Sequence, residues 1–387
     1  MSKKILKIFL FIIFIAAIIF FGFVPGYIDK SKNIVTLKVG DIEKENWYDS
    51  IPFIADLHCD ALLWNRDLLK QHSYGHVDIP RMLKVNMAMQ VFTIVTKTPK
   101  GINIEKNDDK TDNITLLSIA QLRPVNTWFN LTNRVLNQCK ELYAAAKKSN
   151  GSFRVISSKT ELLQFITDRK TNHHISSGML GIEGAHCLNN DINNLYKLYN
   201  AGVRYIGLTH FFDNEWAGSA HGMQKNGLTA AGKQLVQKMD SLHIIIDLAH
   251  SSPKTIDDVL SFTNSPVIVS HTGVQGVCNN VRNLSDAHLM AIGKRNGLVG
   301  IGLWETAVCG TDAMATAKSI RYVADKIGVD KVALGSDFDG ATGTHFDVTG
   351  LPLIVKALLK EGFTRTEIEM IMGGNIRDFF LRNLPEK

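Results

Sequence analysis

Eight short apolar runs recur along this chain, and the stretches between them have the amphipathic pattern of helices. The runs are rich in isoleucine, valine and leucine, which is typical of strands buried on both faces of a sheet. They occupy residues 52–57, 87–95, 179–183, 204–210, 244–250, 266–271, 298–304 and 332–340. Helical stretches lie at residues 133–148, 228–242, 313–328 and 351–362. This alternation predicts a parallel sheet, and eight units predict a closed (β/α)₈ TIM barrel, with a doubly wound open sheet as the alternative.

Composition is consistent with one large α/β domain. A chain of 387 residues with 45% hydrophobic content can bury a large core. No linker rich in proline, glycine or serine divides residues 51–387, so we assign that range to the barrel, with residues 96–150 as an excursion over one face. The net charge is only +6, and we expect no nucleic-acid partner.

The N-terminus carries a targeting segment. Lys3, Lys4 and Lys7 precede an apolar run from Ile8 to Val24, which is close to the length that spans a bilayer. No small-residue cleavage motif follows, so the pattern favours an uncleaved signal anchor over a signal peptide for residues 1–26. Basic residues before the run place the rest of the chain outside the cytoplasm, attached to the membrane through this segment. Residues 27–50 are polar and aperiodic, and we assign them to a tether.

Five side chains that commonly bind metals stand at the ends of four of the apolar runs. They are His58, Asp60, Glu183, His250 and His271. The carboxyl ends of parallel strands meet at one edge, and imidazoles with carboxylates suit zinc. Singly, each histidine is more often a core residue and Glu183 a salt-bridge partner. Together they exceed the three ligands of one catalytic zinc, so we predict two Zn²⁺ ions per subunit, bridged by Glu183 and a hydroxide.

Further polar residues at strand ends have the chemistry to act on a substrate. Asp337 is predicted to be the general acid/base, with Asp339 as the alternative. His210 is assigned to the substrate carbonyl oxygen, although a ligand role stays open. Arg282 suits a substrate carboxylate, with a surface arginine as the alternative. Asp247, three residues before His250, is expected to orient a ligand imidazole.

The motifs DLHCD, GIEGAH, RYIGLTH, IDLAH, SH and DFDG, in this order, resemble those of the membrane (renal) dipeptidase family of zinc dipeptidases. The resemblance runs from about Ile51 to the C-terminal GGNIRDFF. It implies a metal-dependent-hydrolase barrel with a binuclear zinc site that cleaves dipeptides, often with a D-residue at the C-terminal position, and a homodimer. For residues, it implies one zinc on His58, Asp60 and Glu183, the other on Glu183, His250 and His271, substrate contacts from His210 and Arg282, and acid/base catalysis by Asp337.

Two features depart from the animal members of that family. The C-terminal LRNLPEK offers no hydrophobic tail for a lipid anchor, so we expect any anchoring to be N-terminal. Cys278 matches a disulfide-bonded cysteine, yet no partner stands at the downstream distance that the resemblance implies, and we expect it to be unpaired. The five cysteines leave at least one free thiol within a monomer, and Cys59 is interpreted as a packed thiol facing away from His58 and Asp60.

Two other functions compete with a dipeptidase. The first is another metal-dependent amidohydrolase, such as a deaminase or a lactonase, although most binuclear members are bridged by a lysine carbamate where this chain has Glu183. The second is an exported binding or scaffold protein with a vestigial metal site. Such a site loses ligands, whereas all of them are present here.

Overall fold

Eight parallel strands form a nearly closed barrel in the computed structural model, which describes residues 3–37 and 42–387. The strand order is β1-β2-β4-β5-β6-β7-β8-β9, and a bridge between Cys59 and Phe338 joins the two ends. The strands are β1 Ile54–Cys59, β2 Met87–Val95, β3 Phe153–Val155, β4 Ser176–Glu183, β5 Val203–Gly207, β6 Ile245–Asp247, β7 Val267–Thr272, β8 Leu298–Ile301 and β9 Val332–Leu334. The predicted barrel is confirmed, and each predicted run overlaps a barrel strand. Strand β3, which pairs with β4 outside the barrel, is not among the predicted runs.

The helices surround the barrel, and side-chain caps mark where many of them begin. Ser252, Ser285 and Asp312 each accept a hydrogen bond from a backbone N–H of the first turn that follows, which satisfies a donor without a helical partner. The α-helices are α1 Lys3–Ile18, α2 Val24–Lys32, α3 Ile79–Lys84, α4 Asn113–Ala120, α5 Leu131–Lys148, α6 Lys159–Arg169, α7 Asn194–Asn200, α8 Ala230–Ser241, α9 Pro253–Phe262, α10 Asp286–Lys294, α11 Glu305–Val308, α12 Ala313–Ile327, α13 Leu351–Lys360, α14 Arg365–Glu369 and α15 Asn375–Asn383. Short 3₁₀ or π segments lie at Ile19–Phe23, Tyr48–Ser50, Ala61–Trp64, Val125–Thr127, Ala185–Leu188, Val329–Lys331, Val348–Gly350 and Met370–Gly374.

The excursion between β2 and β4 contains α4, α5, β3 and α6. Val135, Cys139 and Leu142 recur at helical spacing along α5 and are buried. The buried Arg134 of the same helix forms an ion pair with Asp112, with 2.7 Å between Nη1 and Oδ2. The excursion is therefore a packed part of the domain.

Two strands carry a register shift where they supply a candidate metal ligand. From Asp56 to Cys59, β1 advances three residues while β2 advances two, from Gln90 to Phe92. A similar shift occurs in β7 between Val269 and Thr272. An extra residue in one strand interrupts the alternation of its side chains between the two faces of the sheet and changes the direction of the neighbouring side chains. The shifts fall on His58 and on the pair Ser270–His271.

The expectation that Cys278 is unpaired is wrong. Cys278 and Cys309 form a disulfide, with Cα atoms 5.3 Å apart and a sequence separation of 31. Cys278 follows β7 and Cys309 follows β8, and these strands are neighbours in the barrel. Adjacent strands bring their loops together, so loop lengths rather than a family spacing decide which cysteines meet. Cys59, Cys139 and Cys187 are free and buried.

The N-terminal helix extends beyond the predicted targeting segment. Helical structure runs from Lys3 to Lys32, and this helix is long and apolar enough to cross a membrane. None of its most apolar stretch is buried against the barrel. Residues 29–37, assigned from sequence to a tether, contact the barrel: Asp29 and Asn33 are buried, and Val35 pairs with Thr344.

Candidate metal centre

Glu183, the last residue of β4, lies at the centre of four histidines. Its Oε1 is 2.9 Å from Nε2 of His250, 3.2 Å from Nε2 of His271 and 3.8 Å from Nε2 of His58. Its Oε2 is 3.2 Å from Nε2 of His210. The Nε2 atoms of His250 and His271 are themselves 3.0 Å apart. These nitrogens therefore point at shared space beside one carboxylate.

Two further carboxylates, those of Asp60 and Asp337, lie close to His58. Donor atoms of His58, Asp60 and Asp337 all lie within 4.8 Å of one another. Nε2 of His58 is 3.5 Å from Oδ1 of Asp60 and 3.9 Å from Oδ1 of Asp337. Thr93 on β2 donates a hydrogen bond to Oδ1 of Asp60 and holds that carboxylate in place. The structure thus brings together all five predicted ligands and the predicted acid/base.

Ser270 sets the orientation of two of the imidazoles. Its hydroxyl donates to Oδ2 of Asp247 at 2.6 Å and lies 3.1 Å from Nδ1 of His58 and 2.9 Å from Nδ1 of His271. Because the single hydroxyl hydrogen goes to Asp247, Ser270 accepts from both Nδ1–H groups. Both Nε2 lone pairs are then free to bind a cation, the usual arrangement of ligating histidines. Asp247 orients these imidazoles through Ser270 rather than directly.

The buried carboxylates of the site favour the binding of positive charge. Burial raises the pKa of Glu183 well above its usual range, and Asp60 raises it further. Burial, together with Asp60, raises the pKa of Asp337 to about 7. Burial lowers the pKa of His58, but the carboxylates of Asp60 and Glu183 outweigh burial and raise it to about 10. In the absence of metal, protons therefore take the place of missing positive charge.

The donor set fits divalent metal ions. Nε2 of His58 is buried and has no hydrogen-bond partner, although it faces two carboxylates. Three carboxylates, those of Asp60, Glu183 and Asp337, share the site with one arginine. Imidazole nitrogens and carboxylate oxygens suit zinc and related ions.

Arg282 supplies a cation at the edge of the site. Its Nη2 donates to the main-chain oxygen of His271 at 2.8 Å, and its guanidinium lies 5.8 Å from the ring centre of Trp304. Among the residues that the structure describes, no carboxylate oxygen lies within 4.0 Å of it. Arg282 is only 8% exposed, and the carboxylates of Asp337 and Glu183 act on it from beyond ion-pair distance. A cavity of about 370 Å³ opens beside Arg282 and His250.

Asp339 does not compete with Asp337 for the acid/base position. Its carboxylate is fully buried and accepts hydrogen bonds from the backbone N–H groups of His76 and Val77 at 2.7 and 3.1 Å. It also forms an ion pair with Arg66. The side chain of Asp337 is 14% exposed, against 6% for that of Glu183, and is the more accessible carboxylate of the centre.

The sequence analysis missed the residues that hold the ligands. Ser270 and Thr93 interrupt apolar strands, as does Asp56, whose carboxylate accepts from Gln90 and Ser336. A polar residue inside a buried run was the available signal, because such a group needs a partner. The sequence could not tell which partner it meets.

A parallel barrel with histidines and carboxylates converging at the strand ends defines the class of metal-dependent hydrolases. The family model described as membrane dipeptidase (peptidase family M19) matches residues 49–381. The chain therefore belongs to the membrane dipeptidase family, a family of metallopeptidases, as the motifs indicated.

Individual relatives agree with this assignment. Over 349 residues the chain is 28% identical to dipeptidase aclJ of Aspergillus oryzae, covering 84% of this chain and 76% of the relative. It is 28% identical over 312 residues to dipeptidase tcpJ of Claviceps purpurea, covering 78% and 68%. A metallo peptidase from Rhodobacter sphaeroides, solved with a phosphinate mimic of the dipeptide L-Ala-D-Ala, has the same fold with a TM-score of 0.70 at 23% identity, covering 86% of this chain and 99% of that one.

Proposed function

We propose that this protein is a zinc-dependent dipeptidase that hydrolyses the peptide bond of dipeptides, including those with a D-residue at the C-terminal position. The position of Glu183 carries the proposal. The buried carboxylate lies within 3.8 Å of Nε2 of His58 and within 3.2 Å of Nε2 of both His250 and His271, so it stands between the two proposed ligand pairs and suits a bridge between two metal ions. Such ions, when bound, supply Lewis acidity that activates water and polarises the scissile carbonyl.

In this proposal His58 and Asp60 hold one ion, His250 and His271 hold the other, and Glu183 binds both. Ser270 hydrogen-bonds to His58 and His271, and Thr93 to Asp60, so these ligand side chains keep their orientation. These hydrogen bonds fix the side chains of His58, His271 and Asp60 in the orientation that metal binding would need.

Asp337 takes a proton from the attacking water and gives it to the leaving amine. Its accessibility and its place 3.9 Å from the Nε2 of His58 support that role. His210 stays neutral, because burial lowers the pKa of its imidazole well below the ordinary value. A neutral His210 donates a hydrogen bond to the substrate carbonyl oxygen as negative charge develops there.

Arg282 binds the free carboxylate of the dipeptide. Arg282 is nearly buried and has no close ion pair among the described residues, so a substrate carboxylate can supply a direct partner for its guanidinium. This contact selects substrates that end one residue beyond the scissile bond. It supports a dipeptidase over a lactonase or deaminase, whose substrates need not carry a carboxylate there.

For location and assembly, we propose an exported homodimer anchored by the N-terminal helix with the barrel outside the cytoplasm. The length and apolar character of the helix support an anchor, and the lysines at its start support the orientation. Labelling of exposed barrel lysines in intact cells by an impermeant reagent tests the orientation. Light scattering of the detergent-purified full chain tests the dimer.

The deciding experiment is hydrolysis of a small panel of L-L, L-D and D-L dipeptides by zinc-loaded and by chelated protein. Zinc-dependent cleavage of L-L or L-D pairs supports the proposal. The matched control is Asp337→Asn, which keeps every proposed ligand. Protein that holds two zinc ions and cleaves no dipeptide, but opens lactones or removes an amino group from a heterocycle, moves the function to another amidohydrolase.

A further inference from the structure

We propose that Asp29, Asn33 and the backbone of residues 34–36, at and just after the end of the N-terminal helix, position the loop that carries Asp337. One connection runs through ion pairs from Asp29 to Arg66 and from Arg66 to Asp339. The inference rests on the proposed role of Asp337 and adds Asp29, Asn33 and Arg66, which lie outside the motifs quoted above. It also makes the end of the N-terminal helix a part of the barrel rim.

The first contact is a buried ion-pair chain. Oδ2 of Asp29 is 3.1 Å from Nε of Arg66, and Nη2 of Arg66 is 2.6 Å from Oδ1 of Asp339. The three side chains are at most 3% exposed. Asn33, one turn after Asp29, donates to the other oxygen of Asp29 at 2.8 Å and fixes its rotamer. A buried arginine between two carboxylates is strongly held, because loss of either partner leaves an uncompensated charge.

Arg66 itself has little freedom to move. Gly75 packs against its guanidinium so closely that a Cβ atom at position 75 would lie 1.8 Å from Nη1. Gly75 also has a positive φ of 69°, which favours glycine. The arginine is therefore a fixed link between the N-terminal segment and Asp339.

The loop that receives these contacts is strained. Asp337, Asp339 and Ala341 have φ angles of 59°, 61° and 56°, so three residues within five positions adopt the left-handed conformation. Such a backbone costs free energy at residues other than glycine and persists only where surrounding contacts hold it. The position of the Asp337 carboxylate depends on that backbone.

A second set of contacts holds the other half of the same loop. Oδ1 of Asn33 accepts a hydrogen bond from the N–H of Ala341 at 3.0 Å. Val35 forms a parallel bridge with Thr344, in which the N–H of Thr344 donates to the oxygen of Ile34 at 2.9 Å. The N–H of Thr36 donates to the oxygen of Thr344 at 3.1 Å. The N-terminal segment thus contacts the loop directly at Ala341 and Thr344, and through Arg66 at Asp339.

The test uses the zinc-loaded full chain in detergent and the variant Asp29→Ala. We expect kcat for a dipeptide to fall about tenfold, with KM within about twofold and bound zinc unchanged, because misplacing a catalytic group slows the reaction without loosening the substrate. Amide hydrogen exchange across residues 337–345 should become faster. Asp29→Asn, which keeps an acceptor for Arg66, should recover part of kcat.

Lys30→Ala is the matched control, since Lys30 is exposed on the same helix turn and should leave kcat and exchange at wild-type values. If Asp29→Ala does not fold, Asn33→Ala tests the second set of contacts by the same two measurements. Wild-type kcat per zinc-loaded subunit, together with wild-type exchange in the loop, overturns the inference even if the melting temperature falls. If the wild-type protein cleaves no dipeptide, the proposed function fails, and the exchange rates alone support or overturn the positional coupling.

Discussion

Removing the Ser270 hydroxyl should weaken zinc binding although Ser270 is not a ligand. Ser270→Ala deletes the acceptor shared by Nδ1 of His58 and Nδ1 of His271, at 3.1 and 2.9 Å. Both rings then lose the contact that aims Nε2 at the centre. Asp247 stays hydrogen-bonded, because its Oδ1 still accepts from the backbone N–H groups of Ser270 at 2.8 Å and Ala249 at 3.0 Å.

The size of the effect follows from these two hydrogen bonds. Each is worth about 1 kcal/mol net, so their joint loss costs about 2 kcal/mol. At about 1.4 kcal/mol per tenfold, this corresponds to roughly 30-fold in zinc affinity. The same two hydrogen bonds are also lost from the metal-free form of the variant, which reduces the change in binding free energy. We therefore expect the zinc affinity to fall roughly tenfold to 30-fold. Loss of partners behind metal ligands commonly costs about 10–100-fold.

The assay is a zinc titration against a chromophoric chelator at neutral pH, with Ser176→Ala as the matched control. The hydroxyl of Ser176 is equally buried and donates to the main-chain oxygen of Met87 at 2.8 Å, at the opposite end of β4 from Glu183. Only Ser270→Ala should lose affinity. An unchanged affinity in Ser270→Ala, or an equal loss in Ser176→Ala, would refute the orientation argument.

Three further predictions concern single residues. Asp337→Asn should keep two zinc ions while kcat falls by orders of magnitude, measured by metal analysis and steady-state kinetics; equal activity would remove Asp337 from the mechanism. Arg282→Ala should raise KM mainly for dipeptides with a free carboxylate, and an equal effect on amidated dipeptides would contradict the carboxylate contact. Burial lowers the pKa of His186 from 6.5 to about 3, so its neutral form stabilises the fold above pH 6.5, and this stability is lost as the pH falls toward 3, at about 1.4 kcal/mol per pH unit. Urea unfolding of metal-free protein should therefore weaken less on acidification in His186→Gln than in wild type, and parallel curves would show that His186 does not contribute.

The proposed anchor and the proposed positioning contacts have a joint consequence for the orientation of the enzyme. The helix that ends at Lys32 is followed directly by Asn33, whose side chain accepts a hydrogen bond from Ala341 in the loop of Asp337. The strand ends of the barrel, where the candidate metal centre lies, are therefore held close to the end of the proposed membrane anchor.

The barrel and its ligands followed from local patterns in the sequence. Burial of whole strands makes isoleucine, valine and leucine recur in short runs, so all eight barrel strands were predicted. Strand β3 has an arginine at its centre and only its first residue is buried, so it leaves no apolar run to recognise. The ligands stood out because polar groups such as Glu183 are unusual at the ends of apolar runs, and parallel strands bring those ends together.

Other features depend on contacts between residues that are far apart in the chain. Asn33 meets Ala341 across 308 positions, and Cys278 meets Cys309 through the neighbouring placement of β7 and β8. The register shifts at His58 and Ser270–His271 arise from pairing with the adjacent strand. The sequence by itself determined which segments are strands and which side chains stand at their ends, because side-chain burial leaves a local periodic pattern. The distances between these side chains, and the residues that hold them in place, depended on packing, for which a single sequence carries no periodic signal.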